Sequence, residues 1–263
     1  MKNIKLIIAT HKQFQMPKDR QLYLPIHVGR EGKNDLGYQG DNTGENISNL
    51  NPYYCELTGL YWAWKNLDVD YLGLVHYRRY FARKTIFYKE NIDINQVILN
   101  QEDVEKQLER ADVIVPKKRR YYIETLYSHY SNTHDSSHLD ETRKVISELT
   151  PDYLTSYDKV MKQNSGYMFN MFIMSKELTD RYCSWLFPII KELYERIDVS
   201  EYTPFEARLF GRISELLFNV WIVENELTVK EMPFIYMDKV DYIRKLKSFL
   251  FAKFFNQKYD KSF

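Results

Sequence analysis

The sequence predicts an α/β domain with a mixed, mostly parallel central sheet that is flanked by helices. Short apolar runs of strand length alternate along the chain with longer segments whose apolar residues recur at helical spacing. The 263 residues are enough to bury one substantial core, and no linker, internal repeat or low-complexity segment divides them. We therefore expect one domain over residues 1–238, followed by a basic, aromatic and amphipathic tail over residues 239–263.

Six apolar runs are predicted to form the strands of this sheet. Pro25 lacks the N–H that a central strand needs, so the run that contains it suits an edge. Asn170 interrupts the fifth run, where a buried amide needs hydrogen-bond partners. The predicted strands are Lys5–Thr10, Tyr23–Val28, Tyr71–His76, Ala111–Pro116, Gly166–Ser175 and Thr228–Met237.

The segments between these runs carry the helical pattern. In the first of them, Leu57, Leu60, Tyr61 and Trp64 fall on one helix face. The polar segment before that helix, residues 29–51, is rich in Gly, Asn, Asp and Ser, which is typical of a long functional or disordered loop. The predicted helices are residues 52–66, Gln101–Arg110, Ser136–Gln163 with a break at Pro151, Lys176–Ile197 and Phe205–Asn225.

The composition argues against several classes of protein. Lys and Arg number 37 against 36 for Asp and Glu, so no net positive field attracts a nucleic acid. Cys55 and Cys183 fit no disulfide or metal-ligand spacing, which favours a reducing compartment. No apolar run approaches the roughly 20 residues of a membrane span, and the first residues lack the pattern of a signal peptide. We therefore expect a soluble, cytoplasmic protein.

Cationic and aromatic residues follow two of the predicted strands directly. In open α/β sheets ligands bind outside the carboxyl ends of the strands, so these residues are predicted to share one crevice. Adjacent guanidinium groups can bind the oxygens of a diphosphate through paired N–H donors. Pairing of the arginines with surface carboxylates is the alternative. The two groups are Thr10, His11 and Lys12 at the first strand and His76, Tyr77, Arg78 and Arg79 at the third.

The run GDNTGENISNLNPYYCELTGLYWAWKN, followed by YLGLVHYRRYF, resembles a bacterial family of capsular and exopolysaccharide glycosyltransferases known as domain of unknown function 4422. The resemblance extends from KLIIATHK to about Met237. It implies a single GT-A-like domain that transfers a hexose, with galactofuranosyl transfer among the implied activities. Our first hypothesis is therefore an inverting transferase with a UDP-sugar donor and a lipid-linked oligosaccharide acceptor in capsule, exopolysaccharide or O-antigen synthesis.

Metal dependence is the point at which the chain departs from most enzymes of this fold, which place Asp-x-Asp after a buried strand to hold a divalent cation. Here Asp68 and Asp70 precede the third strand, which puts both carboxylates at its amino end. Arginine charge could neutralise the leaving diphosphate instead, which predicts transfer without a cofactor. Binding of Mn²⁺ or Mg²⁺ is the alternative. No standard ligand spacing, and hence no metal site, is predicted for His129, His134, Asp135 and His138.

Further donor contacts are expected from the polar loop. Its amides could bind the uracil, the ribose or sugar hydroxyls, although capping of the next helix explains some of them equally. Glu56, which begins that helix, is also expected to have a role, unless it only interacts with the helix dipole. The predicted donor-binding set is Thr10, His11, Lys12, Asn46, Asn49, Asn51, His76, Tyr77, Arg78, Arg79 and Asn170.

Direct displacement at the sugar requires a carboxylate that accepts the proton of the acceptor hydroxyl. Glu206 is predicted on the inward face of the last long helix, which makes it the first candidate for this base. Asp135 is the reserve candidate. The remaining predictions are acceptor binding by His134 and Arg208 and an intrahelical salt-bridge face for Arg212 and Glu215.

The tail, residues 239–263, carries seven cations against two aspartates, together with an apolar stripe. An interfacial helix on the anionic inner face of the plasma membrane and a helix packed on the core both fit this pattern. Two other functional hypotheses stay open. One is a non-catalytic carbohydrate-binding subunit of a polysaccharide assembly complex, which the 22 Tyr would suit. The other is a sugar-phosphate transferase.

Overall fold

The computed structural model describes residues 2–85 and 93–237. The predicted tail, 239–263, lies outside the described residues. Within the described part of the chain, no helix combines the length and the apolar character needed to cross a membrane.

The described residues form eleven strands and eight α-helices. Single 3₁₀ turns at Ser48–Leu50, Ile94–Gln96, Pro151–Tyr153 and Glu206–Arg208 connect some of them. The strands are β1 (Ile4–Thr10), β2 (Tyr23–His27), β3 (Gln39–Gly40), β4 (Tyr71–His76), β5 (Arg79–Phe81), β6 (Val113–Pro116), β7 (Arg119–Arg120), β8 (Ser165–Gly166), β9 (Phe172–Ser175), β10 (Val229–Met232) and β11 (Phe234–Tyr236). The helices are α1 (Asn51–Tyr54), α2 (Leu57–Asn66), α3 (Gln101–Leu108), α4 (Leu126–Thr133), α5 (Ser137–Leu149), α6 (Leu154–Met161), α7 (Lys176–Arg196) and α8 (Leu209–Glu224).

The central sheet has the strand order β10-β6-β9-β4-β1-β2-β3, and β5 and β11 extend it beside β4. β1 lies between β2 and β4 and is parallel to both, with Ile8 opposite Pro25 on one side and Val75 on the other. β9 is antiparallel to its two neighbours, β4 and β6, so it alone runs in reverse along that order. The prediction of a mixed, mostly parallel sheet flanked by helices is confirmed.

Both faces of the sheet are buried, which explains why β1 reads as an unbroken apolar run. Ile7 and Ala9 point to the larger core, where α2, α7 and α8 pack on the sheet. Leu6 and Ile8 point to the smaller core, which contains Val104 of α3. All these side chains are almost fully buried, which fixes the register of β1 in the sheet. The register in turn determines where the residues after Thr10 lie.

Three predicted elements differ from the structure, and one helix was not predicted. The helix predicted over residues 52–66 is interrupted at Cys55, whose φ is +55°, and Gly211 of α8 packs against that break. The last predicted strand is divided at Pro233 into β10 and β11. The predicted strand Gly166–Ser175 is a strand only from Phe172, because Phe169 and Asn170 have positive φ. Helix α4 was not among the predicted helices, although Thr125 and Ser128 form a capping box at its start.

The polar segment at residues 29–51 is folded around one buried carboxylate, that of Asp41. Its Oδ2 accepts hydrogen bonds from the Gly29 N–H (2.8 Å) and the Thr58 hydroxyl (2.6 Å). Its Oδ1 accepts from the Arg30 N–H (3.0 Å) and from the Ser48 hydroxyl. Gly29 has φ +61°, and a Cβ there would collide with the Asn51 side chain, so only glycine fits this turn. The segment is therefore an ordered part of the domain.

Replacing Asp41 with asparagine is expected to lower the free energy of unfolding by about 3 kcal/mol. Each carboxylate oxygen accepts two hydrogen bonds, so either orientation of the new amide directs its NH₂ group at two donors. Urea denaturation measures the loss. Asp35→Asn is the matched control, because that side chain is 69% exposed; an equal effect of both substitutions would contradict the assignment.

Candidate functional site

A cleft of about 1300 Å³ lies beyond the carboxyl ends of β1 and β4. His11 and His76 line it from the sheet, α8 closes one side, and the segment that contains Arg119 and Arg120 closes another. The described residues that line it carry many more positive than negative side chains. The cations are Lys33, Arg78, Arg79, Arg119, Arg120, Arg208 and Arg212, and the carboxylates are Glu56 and Glu215.

Tyr77 organises the cations at the strand ends. Its ring is in edge contact with the His11 ring, at a centroid distance of 5.3 Å. Lys12 Nζ and the Arg78 guanidinium lie over the same ring at 5.0 and 5.5 Å. Burial, followed by the positive charges of Lys12 and Arg78, lowers the pKa of His11, which favours a neutral imidazole at neutral pH. This edge of the cleft therefore offers both aromatic surface and positive charge.

The backbone of Phe169 joins two ionisable side chains of the cleft. His76 Nε2 lies 2.6 Å from the Phe169 carbonyl oxygen, which can only accept, so Nε2 carries a hydrogen. The Phe169 N–H donates to the Glu215 carboxylate. Phe169 has φ +78°, a rare conformation for a residue with a side chain. The Arg79 guanidinium lies 4.4 Å from the Phe169 ring centroid. This strained turn thus aligns an imidazole, a carboxylate and a guanidinium.

Glu215 and Glu56 form a pair of neighbouring carboxylates in the cleft. Burial, and then the negative charge of Glu56, raises the pKa of Glu215 to about 7. Asn170 orients Glu56, because its Nδ2 donates to Glu56 Oε1 (2.8 Å) and to the Gly211 carbonyl (3.1 Å). The Asn170 carbonyl oxygen in turn accepts from the Ser214 hydroxyl (3.0 Å). A group with a pKa near 7 can exchange protons in either direction at neutral pH.

Two arginines, one from α8 and one from the turn before it, interact electrostatically with the carboxylates. Arg208 Nε donates to Cys55 Sγ (3.2 Å), and Arg212 Nη2 donates to the Phe205 carbonyl (2.6 Å). Both contacts fix the side chains at the wall of the cleft. Burial lowers the pKa of Arg212, although a guanidinium stays protonated throughout the physiological range. Anions that enter the cleft therefore meet positive charge both from the strand ends and from α8 with its preceding turn.

The structure brings about half of the predicted site residues into this cleft. Those that line it are His11, Asn51, His76, Tyr77, Arg78, Arg79, His134 and Arg208. Those that do not are Thr10, Lys12, Asn46, Asn49, Asp135, Asn170 and Glu206.

Several residues outside the lining have contacts that explain their position. Thr10 is buried, and its hydroxyl donates to the Lys12 carbonyl (2.7 Å). Asn46 accepts from the Ser48 N–H (3.2 Å) within an exposed turn. Asn51 lines the cleft, but its amide donates to the Cys55 carbonyl (2.8 Å) across the break between α1 and α2. These contacts organise the loops around the cleft.

The prediction that Glu206 lies on an inward helix face is wrong. Glu206 belongs to a 3₁₀ turn before α8 and is exposed, because the helix begins only at Leu209. Its Oε2 accepts from the N–H (2.9 Å) and the hydroxyl (2.7 Å) of Thr203. Asp135 is also exposed and accepts from the Ser137 N–H (2.9 Å) at the start of α5. Both carboxylates thus stabilise local turns.

Glu215 is the residue that the sequence-based interpretation assigned to a different role. It was expected to pair with Arg212 on an intrahelical salt-bridge face. Instead, one face of α8 and its preceding turn lines the cleft. Four residues at helical spacing form this face: Arg208, Gly211, Arg212 and Glu215. The sequence did contain one signal for this role: Glu215 lies between Ser214 and the apolar Leu216 and Leu217, all three of them buried. A carboxylate in such a stretch indicates a functional side chain.

Asp68 and Asp70 lie at the amino end of β4, as predicted, and therefore at the opposite end of that strand from the cleft. Asp70 Oδ2 accepts from the Asn3 N–H (2.7 Å), and the Asp68 carbonyl accepts from the Asn3 amide (2.9 Å). Across residues 2–85 and 93–237, no three His, Cys, Asp or Glu side chains are grouped in a way that could hold a metal ion.

The fold and the cleft define an α/β protein with a largely cationic cleft beyond the carboxyl ends of parallel strands, the position at which such sheets bind ligands. Residues 5–226 match the family Domain of unknown function (DUF4422), and the chain belongs to this family, which confirms the resemblance found in the sequence. The chain is also similar to the apo structure of WbbM, a bifunctional glycosyltransferase, at 32% identity and a TM-score of 0.82. That similarity covers 90% of this chain but only 46% of the WbbM chain. No curated protein matched.

Proposed function

We propose that this protein is a glycosyltransferase that moves a hexose from a UDP-linked donor to a hydroxyl group of a lipid-linked glycan. The observation that carries the proposal is the pair Glu56 and Glu215 within an otherwise cationic cleft. A nucleotide-sugar transferase needs positive charge for a diphosphate and a carboxylate for an acceptor proton. The similarity to WbbM supports the same class of activity.

The proposed reaction is a direct displacement with inversion at the anomeric carbon. The acceptor oxygen forms a bond to that carbon while the bond from the carbon to the diphosphate oxygen breaks. Glu215 accepts the hydroxyl proton, and UDP leaves with the electron pair of the broken bond. Arg78, Arg79 and His76 are proposed to stabilise the negative charge that develops on the diphosphate. The aromatic edge formed by His11 and Tyr77 is suited to the nucleoside.

Several finer points follow from the family resemblance. The donor is proposed to be a UDP-hexose, with UDP-galactofuranose as the first to test, and the product a capsular, exopolysaccharide or O-antigen glycan. We place the enzyme in the cytoplasm, at the inner face of the plasma membrane. GT-A is our proposed name for the fold type, supported by a mostly parallel sheet whose cleft lies at the carboxyl ends of β1 and β4.

The proposal is tested by a screen of nucleotides and nucleotide sugars with the full chain. Stabilisation of the protein by UDP in a thermal-shift assay, followed by a glycosylated acceptor in mass spectrometry, is the expected result. Binding of sugars with indifference to every nucleotide would favour a carbohydrate-binding subunit instead. A product that retains a phosphodiester would identify a sugar-phosphate transferase.

Turnover is expected to continue undiminished in EDTA. The seven cations of the cleft supply the charge neutralisation that a bound divalent ion would otherwise provide. The rate is measured with a UDP-sugar after chelation and again after addition of Mn²⁺ or Mg²⁺. Strict dependence on either ion would contradict metal-independent transfer, while leaving the class of reaction in place.

A further inference from the structure

The segment Lys117–Ile123 at the mouth of the cleft has an unusual surface, and we refer to it as the basic-apolar loop. Its first four residues, all exposed, are Lys117, Lys118, Arg119 and Arg120. They are followed by Tyr121 and by two large apolar side chains in solvent: Tyr122 is 80% exposed and Ile123 is 66% exposed. Such a combination of clustered cations and exposed aromatic and aliphatic side chains is typical of surfaces that bind membranes.

The exposure of Tyr122 and Ile123 is built into the backbone. Tyr122 has φ +57°, and the Ile123 N–H donates to the Tyr121 carbonyl (2.6 Å), which closes a three-residue turn around Tyr122. The Tyr121 N–H donates in turn to the Asn164 carbonyl (2.8 Å), and β7 pairs with β8. After the tip, the Leu126 N–H donates to the Gln163 carbonyl (2.7 Å), so the chain is anchored on both sides of Tyr122 and Ile123. A positive φ is energetically unfavourable for a tyrosine. The conformation that holds this side chain in solvent therefore lowers the free energy of unfolding.

We propose that the basic-apolar loop binds the surface of an anionic lipid bilayer, with Tyr122 and Ile123 inserted at the level of the headgroups. Its four positive charges lie within four consecutive residues. Among the residues that the structure describes, none of these four side chains forms a salt bridge with a carboxylate. Their charge is therefore available to acidic headgroups, which attract cations near the membrane surface.

This orientation would direct the cleft toward the bilayer. Arg119, Arg120, Tyr122 and Ile123 all line the mouth of the cleft as well as forming the exposed tip. A glycan attached to a membrane lipid would then reach Glu215 without leaving the surface. This step rests on the proposed function, whereas binding of the loop to a bilayer does not.

Vesicle co-sedimentation of the full chain tests the inference without any measurement of turnover. Vesicles of phosphatidylglycerol and phosphatidylcholine in equal parts are compared with vesicles of phosphatidylcholine alone. Lys117→Gln/Lys118→Gln alters only residues outside the cleft lining and is expected to weaken binding to the anionic vesicles about tenfold. Tyr122→Ser/Ile123→Ser is expected to weaken it by a similar factor, about tenfold.

Two matched controls separate the loop from general changes in charge or apolar surface. Lys18→Gln/Lys106→Gln removes the same charge from exposed positions elsewhere. Leu149→Ser removes an exposed apolar side chain, 45% accessible, from the end of α5. Both controls are expected to bind vesicles like the unmodified chain. Equal losses in controls and loop variants, or no loss in either loop variant, would overturn the inference.

A tryptophan introduced as Ile123→Trp reports the position of the tip directly. Its emission is obtained by subtracting that of the unmodified chain, which has four Trp. This difference emission is expected to shift to shorter wavelength with anionic vesicles and to be quenched by brominated lipids. Unchanged emission with bound vesicles would place the contact elsewhere and refute the role of the loop. If the protein transfers sugar normally but the emission is unchanged, the proposed function stands and only the membrane contact of the loop is refuted.

Discussion

Glu215→Gln is expected to lower kcat by about 100-fold to 10,000-fold, the range for loss of a general base. Glutamine preserves the size of the half-buried side chain and cannot accept the proton of the acceptor hydroxyl. Steady-state kinetics with a UDP-sugar measures the loss, and KM for the donor is expected to change little, because the cations proposed to bind the diphosphate stay in place.

Glu206→Gln is the matched control for this substitution. Both residues are glutamates of the same part of the chain, but Glu206 is exposed and accepts hydrogen bonds from Thr203. We expect Glu206→Gln to retain nearly full activity. The reverse result, in which Glu206→Gln is inactive and Glu215→Gln is active, would restore the base that was predicted from the sequence alone.

The pH dependence gives a second, independent test of Glu215. A base must be deprotonated to act, so kcat/KM is expected to rise with pH as Glu215 titrates, near its pKa of about 7. The negative charge of Glu56 helps to raise the pKa of Glu215. Removing that charge with Glu56→Gln should therefore move the rise in kcat/KM to lower pH. If the pH profile of kcat/KM does not move, the charge of Glu56 does not affect the pKa of Glu215, which would contradict the pairing.

Arg79→Gln is expected to reduce kcat by about 100-fold to 1000-fold, the cost of losing one preorganised group at a developing negative charge. The guanidinium lies 4.4 Å from the Phe169 ring centroid and 5.2 Å from that of Tyr236, and these contacts orient it. Arg79→Lys keeps the charge but not the fork of N–H donors, and it is expected to recover part of the activity.

Binding of UDP distinguishes the neighbouring arginine. Arg78 lies over Tyr77 at the aromatic edge, and Arg78→Ala is expected to abolish the stabilisation by UDP in a thermal-shift assay. Arg110→Gln, at an exposed position after α3, is the control for loss of one positive charge. If Arg78→Ala and Arg110→Gln bind UDP equally well, the diphosphate does not bind at the end of β4.

Local sequence patterns were sufficient for the elements that lead to the cleft. The apolar runs of β1 and β4 predicted both strands to within a residue, because each strand is buried on both faces. The cations that follow these strands were therefore assigned to the correct edge of the sheet. The position of Asp68 and Asp70 before β4 was equally clear, since it depends only on the order of residues along one strand.

The proposed base, Glu215, could not be identified in the same way, because its position depends on the exact start and rotation of α8. A helix that started earlier would have directed Glu206 inward, but α8 begins at Leu209 and presents Glu215 to the cleft. The break at Cys55 and the positive φ of Asn170 bring Glu56 to the same place. These features arise from contacts between residues more than a hundred positions apart, which no local pattern contains.

The sequence by itself thus determined the family, the α/β class and the edge of the sheet at which the ligand is expected, because apolar periodicity and strand order are local properties. Only the tertiary structure decided which carboxylates meet. It brought Glu56 and Glu215 close enough for one charge to raise the pKa of the other, and it turned Tyr122 and Ile123 outward at the mouth of the same cleft. Electrostatic coupling depends on distance in space, and the packing of α8 against the break between α1 and α2 sets that distance.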